Sequence, residues 1–410
     1  MILLRWKIPQ YARYLSSLNL HSHFVIIHLM DTKKNILIVT NSGNRGGMEV
    51  HVLNIIEGLY EKFNFFVVCP KGNIVSEYEK YAKVIILRPK FDIDPVYILK
   101  LIRLFKILNI SVVHTHELKA GVNGLIAGSF ARIPLKISHQ HTPVSNWQIS
   151  PTKKKINRFV YKIFVNNLSS FEVALTPEIK KQKIGEGIRK EKIIIIPNGI
   201  SLKAFNLPSK LKIKHRIEIC EKYGISPQNL IVGNISRLTI EKGHSIFIKV
   251  LRELENEKKI SNVKFLFAGE GELREELIRM VKSYGLPEKT IFTGFISEED
   301  KIKVLSSLDV FVFPTLAEGF GIVLIEAMAS GLPCIVSNLP VLQDVAGLAV
   351  LYFENGKEDS LKENLAKMIS SKKMREEFAS KSLAQVKKYD IKKFWESYNG
   401  LYENTLPVSF

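Results

Sequence analysis

The sequence predicts an α/β protein built from two doubly wound parallel sheets, each covered by helices. After residue 34, short β-rich runs alternate with amphipathic helical stretches, and the whole alternation occurs twice. Several runs are apolar throughout, Ile193-Ile194-Ile195-Ile196 and Val310-Phe311-Val312-Phe313 among them, which suits parallel strands covered on both faces. The 410 residues leave room for two domains with their own cores. Hydrophobic residues make up 46% and charged residues 24%, which excludes a disordered or collagen-like chain. A net charge of +19 calls for an anionic partner: nucleic acid, a membrane surface or a phosphorylated small molecule. Three scattered cysteines (Cys69, Cys220, Cys334) form no disulfide framework and have no metal spacing, as expected of a cytoplasmic protein.

Residues 1–34 read as an extension. Met30 followed by Asp31-Thr32-Lys33-Lys34 and an apolar run resembles a natural start, so residues 1–29 are expected to be a loose tail or to precede the true first residue. No stretch reaches the roughly 20 apolar residues that span a bilayer. Strands are expected at 36–40, 65–69, 84–87, 112–114, 135–138, 172–175 and 193–196, giving a first domain over 35–200. A second series at 230–235, 264–268, 290–293, 310–313 and 333–336 gives a second domain over 201–387. The turn signal Pro197-Asn198-Gly199 and a basic helix from Lys210 mark the boundary. Residues 388–410, with Phe394, Trp395 and Tyr398, read as a C-terminal helix. Asp92-Ile93-Asp94-Pro95 mimics a metal-binding D-x-D motif. Asp94 followed by Pro95 is better explained as a helix cap with proline in the first turn.

In open α/β sheets ligands gather at the carboxyl ends of strands, so the loops after them are where chemistry is expected. After 310–313 comes Ala317-Glu318-Gly319-Phe320-Gly321, then a helix apolar on every side except at Glu326. A lone buried carboxylate costs several kcal/mol, roughly, unless partnered. Either a distant Arg or Lys pairs with it or a ligand's hydroxyls do. The glycines allow close backbone approach and the helix start favours a phosphate. With Glu318 at the mouth, the segment suits a ligand carrying hydroxyls at both ends and phosphate between, the shape of a nucleotide sugar. The loop after 230–235 offers Arg237 and Lys242, a planar fork and a point charge suited to a diphosphate leaving group. A surface salt bridge to Glu241 is the alternative for either.

Arg237…Lys242-Gly243 followed by Glu318-Gly319-Phe320-Gly321…Glu326-Ala327-Met328-Ala329 resembles the donor site of glycosyltransferase family 4, which has the GT-B fold of two Rossmann-like domains facing a cleft. Gly46-Gly47-Met48-Glu49, Val113-His114-Thr115-His116 and Ile196-Pro197-Asn198-Gly199 match as well. The resemblance covers nearly everything after residue 34 and is more specific in the second domain. It implies a retaining transferase that uses a UDP- or GDP-sugar as substrate and needs neither metal nor other cofactor. It implies that Arg237 and Lys242 hold the diphosphate and that Glu318 binds the transferred sugar, with the backbone of Gly319, Phe320 and Gly321. Glu326 would take the ribose diol, and base contacts would come from Ile296 and Glu298. Gly47 would approach the donor phosphate. His141 fits the family's histidine before the acceptor pocket, with His139 in reserve and His114 and His116 on the acceptor side. Glu318, His141, Arg237 and Lys242 would thus form the catalytic set, and the C-terminal helix would cross back to the first domain.

Lys153-Lys154-Lys155, Arg158 and Lys162 interleave with Ile156, Phe159, Val160 and Ile163 at helical spacing. This reads either as a surface docking on anionic lipid, at the inner face of the cytoplasmic membrane, or as a helix packed on its sheet with a solvated basic side. Docking would suit a polyprenyl-linked or glycan acceptor in cell-surface polysaccharide assembly. Two other readings stay open, a nucleotide-sugar epimerase of similar fold and a basic nucleic-acid-binding protein. The second is disfavoured because the cations lack an aromatic stacking strip.

Overall fold

The computed structural model describes residues 33–404, so the expectation for residues 1–29 lies outside the described residues. The chain forms two compact units. One comprises residues up to 174 with 182–195 and those from 395, and the other 175–181 and 196–394.

The first unit holds seven parallel strands, β1 (Asn35–Val39), β2 (Asn64–Cys69), β3 (Lys83–Ile86), β4 (Ile110–His116), β5 (Leu135–His139), β6 (Phe171–Ala174) and β7 (Ile193–Ile195). Their order is β3-β2-β1-β4-β5-β6-β7. β1 is buried along its whole length, as its unbroken apolar run requires of a central strand covered on both faces. One face packs on Leu101, Leu104, Phe105 and Ala127 from flanking helices. Asp94 caps the helix Pro95–Ile107, its Oδ1 accepting from the backbone N–H of Val96 and Tyr97 at 3.0 Å each. β4 continues two residues past its expected end, with Thr115 and His116 paired to Ser138 and His139 of β5. The C-terminal helix Ile391–Glu403 contributes its part from Trp395 onward to this unit. There Trp395 Nε1 donates to the Asn54 carbonyl at 2.8 Å, and any Cβ at position 58 would lie 2.0 Å from that nitrogen, so Gly58 makes room for the indole.

The second unit holds six parallel strands, β8 (Leu230–Ile235), β9 (Val263–Ala268), β10 (Thr290–Gly294), β11 (Val310–Phe313), β12 (Cys334–Ser337) and β13 (Leu351–Phe353), in the order β10-β9-β8-β11-β12-β13. β13 has no counterpart among the expected strands: three residues at a sheet edge carry no readable period. In this sheet the order reverses between β8 and β11, so the loops leaving these two neighbours diverge at one point on its carboxyl edge. Among the described residues no helix is long and apolar enough to cross a membrane.

Candidate functional site

The reversal point of the second sheet brings the two sequence constellations together. β8 leads into residues 236–243 and β11 into 314–321, and the loops are stitched to each other. The Leu316 N–H donates to the Glu241 carbonyl at 2.7 Å, and Thr315 Oγ1 donates to the same oxygen at 3.0 Å. Gly243 turns in the left-handed region (φ +68°), and a Cβ there would sit 2.0 Å from the Pro314 carbonyl oxygen. Gly269 and Gly271 serve the same end, since side chains there would strike the Ser236 and Leu238 carbonyls. The Gly269-Glu270-Gly271 run is thus a packing device.

Across this seam Lys242 Nζ donates to Glu318 Oε2 at 2.8 Å, with both side chains mostly buried. The Gly319 N–H donates to the other carboxylate oxygen at 3.1 Å, which aims the Glu318 side chain. Arg237 points outward, 74% exposed, and meets Glu241 at 3.1 Å. So exposed a pair is worth little, and the guanidinium can leave it at small cost. Gly321 (φ +87°) caps the helix Ile322–Ala329, with Phe320 buried edge-on to Tyr389 at 5.6 Å.

Glu326 is buried in that helix, and the structure answers the open question of its partner. Lys301 Nζ donates to Glu326 Oε1 at 2.6 Å and meets Glu298 at 2.7 Å. Burial raises the Glu326 carboxyl above its ordinary range while Lys301 pulls it back. Burial alone would lower the Lys301 ammonium, but the two carboxylates outweigh it and hold it charged. Lys301 was not legible in advance; one lysine in the 298–303 run of charges looks like any solvated helix face. Ile296 lies partly buried against the core, and Glu298 opens the helix Glu298–Ser307.

Beneath the loops, His244 is buried at the start of its helix, with Nε2 3.0 Å from Asn234 Oδ1 and 3.1 Å from Ser236 Oγ. Asn234 Nδ2 in turn donates to the Val312 carbonyl at 2.8 Å, so this polar knot ties β8 to β11 under the seam. Burial, with the nearby Lys242 charge, pushes the His244 pKa down to about 4.

In the first unit the named histidines form a buried layer. His114, His116 and His139 have no exposed surface, and His51 joins them from the helix Gly47–Leu59. His116 Nδ1 lies 3.0 Å from His141 Nε2, His114 Nδ1 2.9 Å from the Tyr402 hydroxyl, and His51 Nε2 2.9 Å from that of Tyr398. The His139 and His141 rings stack at 3.8 Å. Burial, above all, and their neighbours drive all four strand and loop histidines well below the usual imidazole range, so these four rings are neutral. Only His141 among the four retains some exposure. Gly47 begins its helix with open space where a Cβ would be. Glu117, just past β4, was missed: its backbone is strained (φ +69°, ψ 161°), its carboxyl accepts from Gln140, and burial lifts its pKa to about 7. A cavity of about 310 Å³ nearby is lined by Asn41, Ile93, Leu118, Trp147, Ile156 and Val160.

Two Rossmann-like parallel sheets, with two glycine-bearing loops meeting at the reversal point of the second, define a GT-B transferase architecture. Residues 45–204 match the family model "Glycosyltransferase Family 4", and residues 215–384 match "Glycosyl transferases group 1". The chain belongs to glycosyltransferase family 4 and is a glycosyltransferase. It is 29% identical over 291 residues to the UDP-Gal:alpha-D-GlcNAc-diphosphoundecaprenol alpha-1,3-galactosyltransferase of Escherichia coli, an alignment covering 68% of this chain and 72% of that one. It is 25% identical to the capsular polysaccharide biosynthesis glycosyltransferase CapM of Staphylococcus aureus, covering 86% and 93%. Among solved structures, Anabaena HepE in complex with UDP and glucose superposes with a TM-score of 0.79 at 20% identity, over 90% of this chain and all of that one.

Proposed function

We propose that the chain moves a sugar, with retention, from a UDP- or GDP-sugar to a lipid-linked or glycan acceptor during assembly of a cell-surface polysaccharide. The observation that carries this reading is the Lys242–Glu318 pair held across two stitched loops at the reversal point of the second sheet. Lys242 would take the diphosphate with Arg237 swinging onto it, which frees Glu318 to accept from the sugar's hydroxyls. Glu326, with one oxygen held by Lys301, would turn Oε2 to the ribose diol, and Ile296 would flank the base beside Glu298. The backbone of Gly319, Phe320 and Gly321 would line the phosphates and sugar.

In the reaction the bond from the anomeric carbon to the diphosphate oxygen breaks and a bond to the acceptor oxygen forms on the same face. The acceptor proton passes to the departing diphosphate, and the cations stabilise the charge that grows there. His141, the partly exposed member of its layer, would contact the acceptor; His114, His116 and His139 would act from behind it. A uridine donor is favoured because the E. coli relative is named for UDP-Gal and Anabaena HepE was solved with UDP. A polyprenyl-linked acceptor is favoured by that same relative's name and by the half-apolar cavity of the first unit. No metal enters this scheme.

A thermal-shift screen against UDP- and GDP-sugars tests the reading. A saturating donor should raise the melting temperature, by the equivalent of about 3 kcal/mol at a hundredfold excess over Kd. Glu326→Ala should lose most of that shift, and Lys242→Ala should lower kcat/KM by about 10²–10³-fold. A screen in which no nucleotide sugar shifts the wild type, or shifts both proteins alike, overturns it.

A further inference from the structure

We propose that the histidine layer of the first unit is a transition-metal site, with His114, His116 and His139 as its protein ligands and zinc(II) as its occupant. The inference is independent of the donor reading, because every residue in it belongs to the other unit.

The sequence writes the site as the H-x-H pair 114/116 on β4 and His139 at the end of β5, with His141 in the loop just beyond. Alternation puts His114 and His116 on one face of the sheet, and the parallel register sets His116 directly beside His139. One ring nitrogen from each of His114, His116 and His139 lies within 4.8 Å of the other two. Zinc bonds imidazole at about 2.0–2.1 Å, so its tetrahedral ligand atoms stand roughly 3.4 Å apart. Closing the remaining gap asks for ring shifts of about an ångström, a small adjustment for rings whose centroids already lie 4.2 Å (His114–His116) and 5.3 Å (His116–His139) apart.

The nitrogens are in the state a metal needs. Nε2 of His114, Nε2 of His116 and both nitrogens of His139 find no hydrogen-bond partner among the described residues, although all three side chains are fully buried. Orphaned lone pairs on neutral imidazoles are what a soft to borderline dication binds. The opposite nitrogens are already anchored: His114 Nδ1 to the Tyr402 hydroxyl at 2.9 Å, and His116 Nδ1 to His141 at 3.0 Å. With Nδ1–H donating in each ring, Nε2 carries the lone pair and the ring is held in place. This is the outer-shell arrangement that orients metal-bound histidines. His141, partly exposed and stacked on His139, gives the ion a way in. The site would clip β4 and β5 together beneath Tyr402 of the C-terminal helix, with a water in the fourth tetrahedral position.

The test uses the full chain, stripped with a chelator, loaded with zinc sulfate and desalted. The expected result is about one zinc retained per chain, a melting temperature that rises with zinc and falls again with chelator, and an X-ray absorption spectrum showing imidazole nitrogens at about 2.0 Å. His139→Ala should weaken zinc binding at least tenfold. Tyr402→Phe keeps the ring and its packing, removes only the bond to His114, and should weaken binding by about 10–100-fold. That variant and the wild-type spectrum decide the matter even where His139→Ala fails to fold. The site is overturned when the wild type surrenders its zinc on desalting. It is equally overturned when His139→Ala and Tyr402→Phe both hold zinc as tightly as the wild type, which would place the ion elsewhere.

Discussion

His244 shows how one side chain can connect a binding loop to the stability of the sheet below it. It lies next to the Lys242-Gly243 turn, yet its ring faces inward to Asn234 and Ser236. An imidazole near pKa 6.5 in the unfolded chain falls to about 4 in the fold, because burial and the Lys242 charge both disfavour the proton. Above pH 6.5 neither state carries that proton, and the stability the neutral ring contributes is fully present. Between 6.5 and about 4 the unfolded chain takes up a proton that the folded one refuses. Stability is lost in that window at up to ~1.4 kcal/mol per pH unit, about 3 kcal/mol in all. Other buried histidines titrate too, so the measurement is a difference: urea midpoints of the wild type and His244→Gln followed from pH 7.5 to pH 4.5. The advantage of the wild type should shrink as pH falls below 6.5, and parallel curves would refute the assignment.

At the scale of elements, the two loops at the reversal point succeed or fail as a pair, and Gly243 is their hinge pin. Gly243→Ala would suffer the left-handed penalty of about 1–2 kcal/mol and also force its methyl group into the Pro314 carbonyl. Gly224→Ala provides the control, with nearly the same backbone (φ +63°) and open space around it. Denaturant midpoints should drop much further for Gly243→Ala, and only that variant should lose its response to a nucleotide sugar; equal losses would mean the loops are not coupled. These loops were readable because buried parallel strands announce themselves as apolar runs and their exits as glycine and charge. All twelve strands expected from such runs are present. What stayed hidden depends on long-range pairing: β13, too short for a period, and Lys301, whose partnership with Glu326 arises only when the 298–307 helix folds back on the 322–329 helix. His114, His116, His139 and His141 were visible as residues, but their confinement under Tyr398 and Tyr402 depends on a helix more than two hundred residues away. Asp94 is the converse case, a local cap whose cause and effect lie within three residues.

For the molecule as a whole, a net charge of +19 favours anionic partners, and the helix Pro151–Leu168 is where docking on an anionic lipid surface can be tested. It packs inward through Tyr161 and Val165, leaving Ile156 (56% exposed), Phe159 (63%) and Ile163 (37%) outside. Much of the apolar stripe is therefore on the solvent side, beside exposed lysines. Lys153, Lys155 and Lys162 are exposed around it, while Lys154 and Arg158 are tied back to the Ser145 and Gly185 carbonyls. Each free cation near an anionic surface contributes about 1 kcal/mol, and an inserted Phe adds about 1.5–3 kcal/mol, so the two kinds of residue matter comparably. The charge part is screened over a Debye length of ~10 Å at 0.1 M salt and the apolar part is not. In sedimentation with anionic phospholipid vesicles the wild type should bind at low salt and partly release at high salt. Phe159→Ser should weaken binding roughly tenfold or more at any salt, whereas Lys153→Glu with Lys155→Glu should weaken it only where salt is low. Equal binding to neutral and anionic vesicles would show that the cations take no part, and binding to neither would show that this face meets water alone.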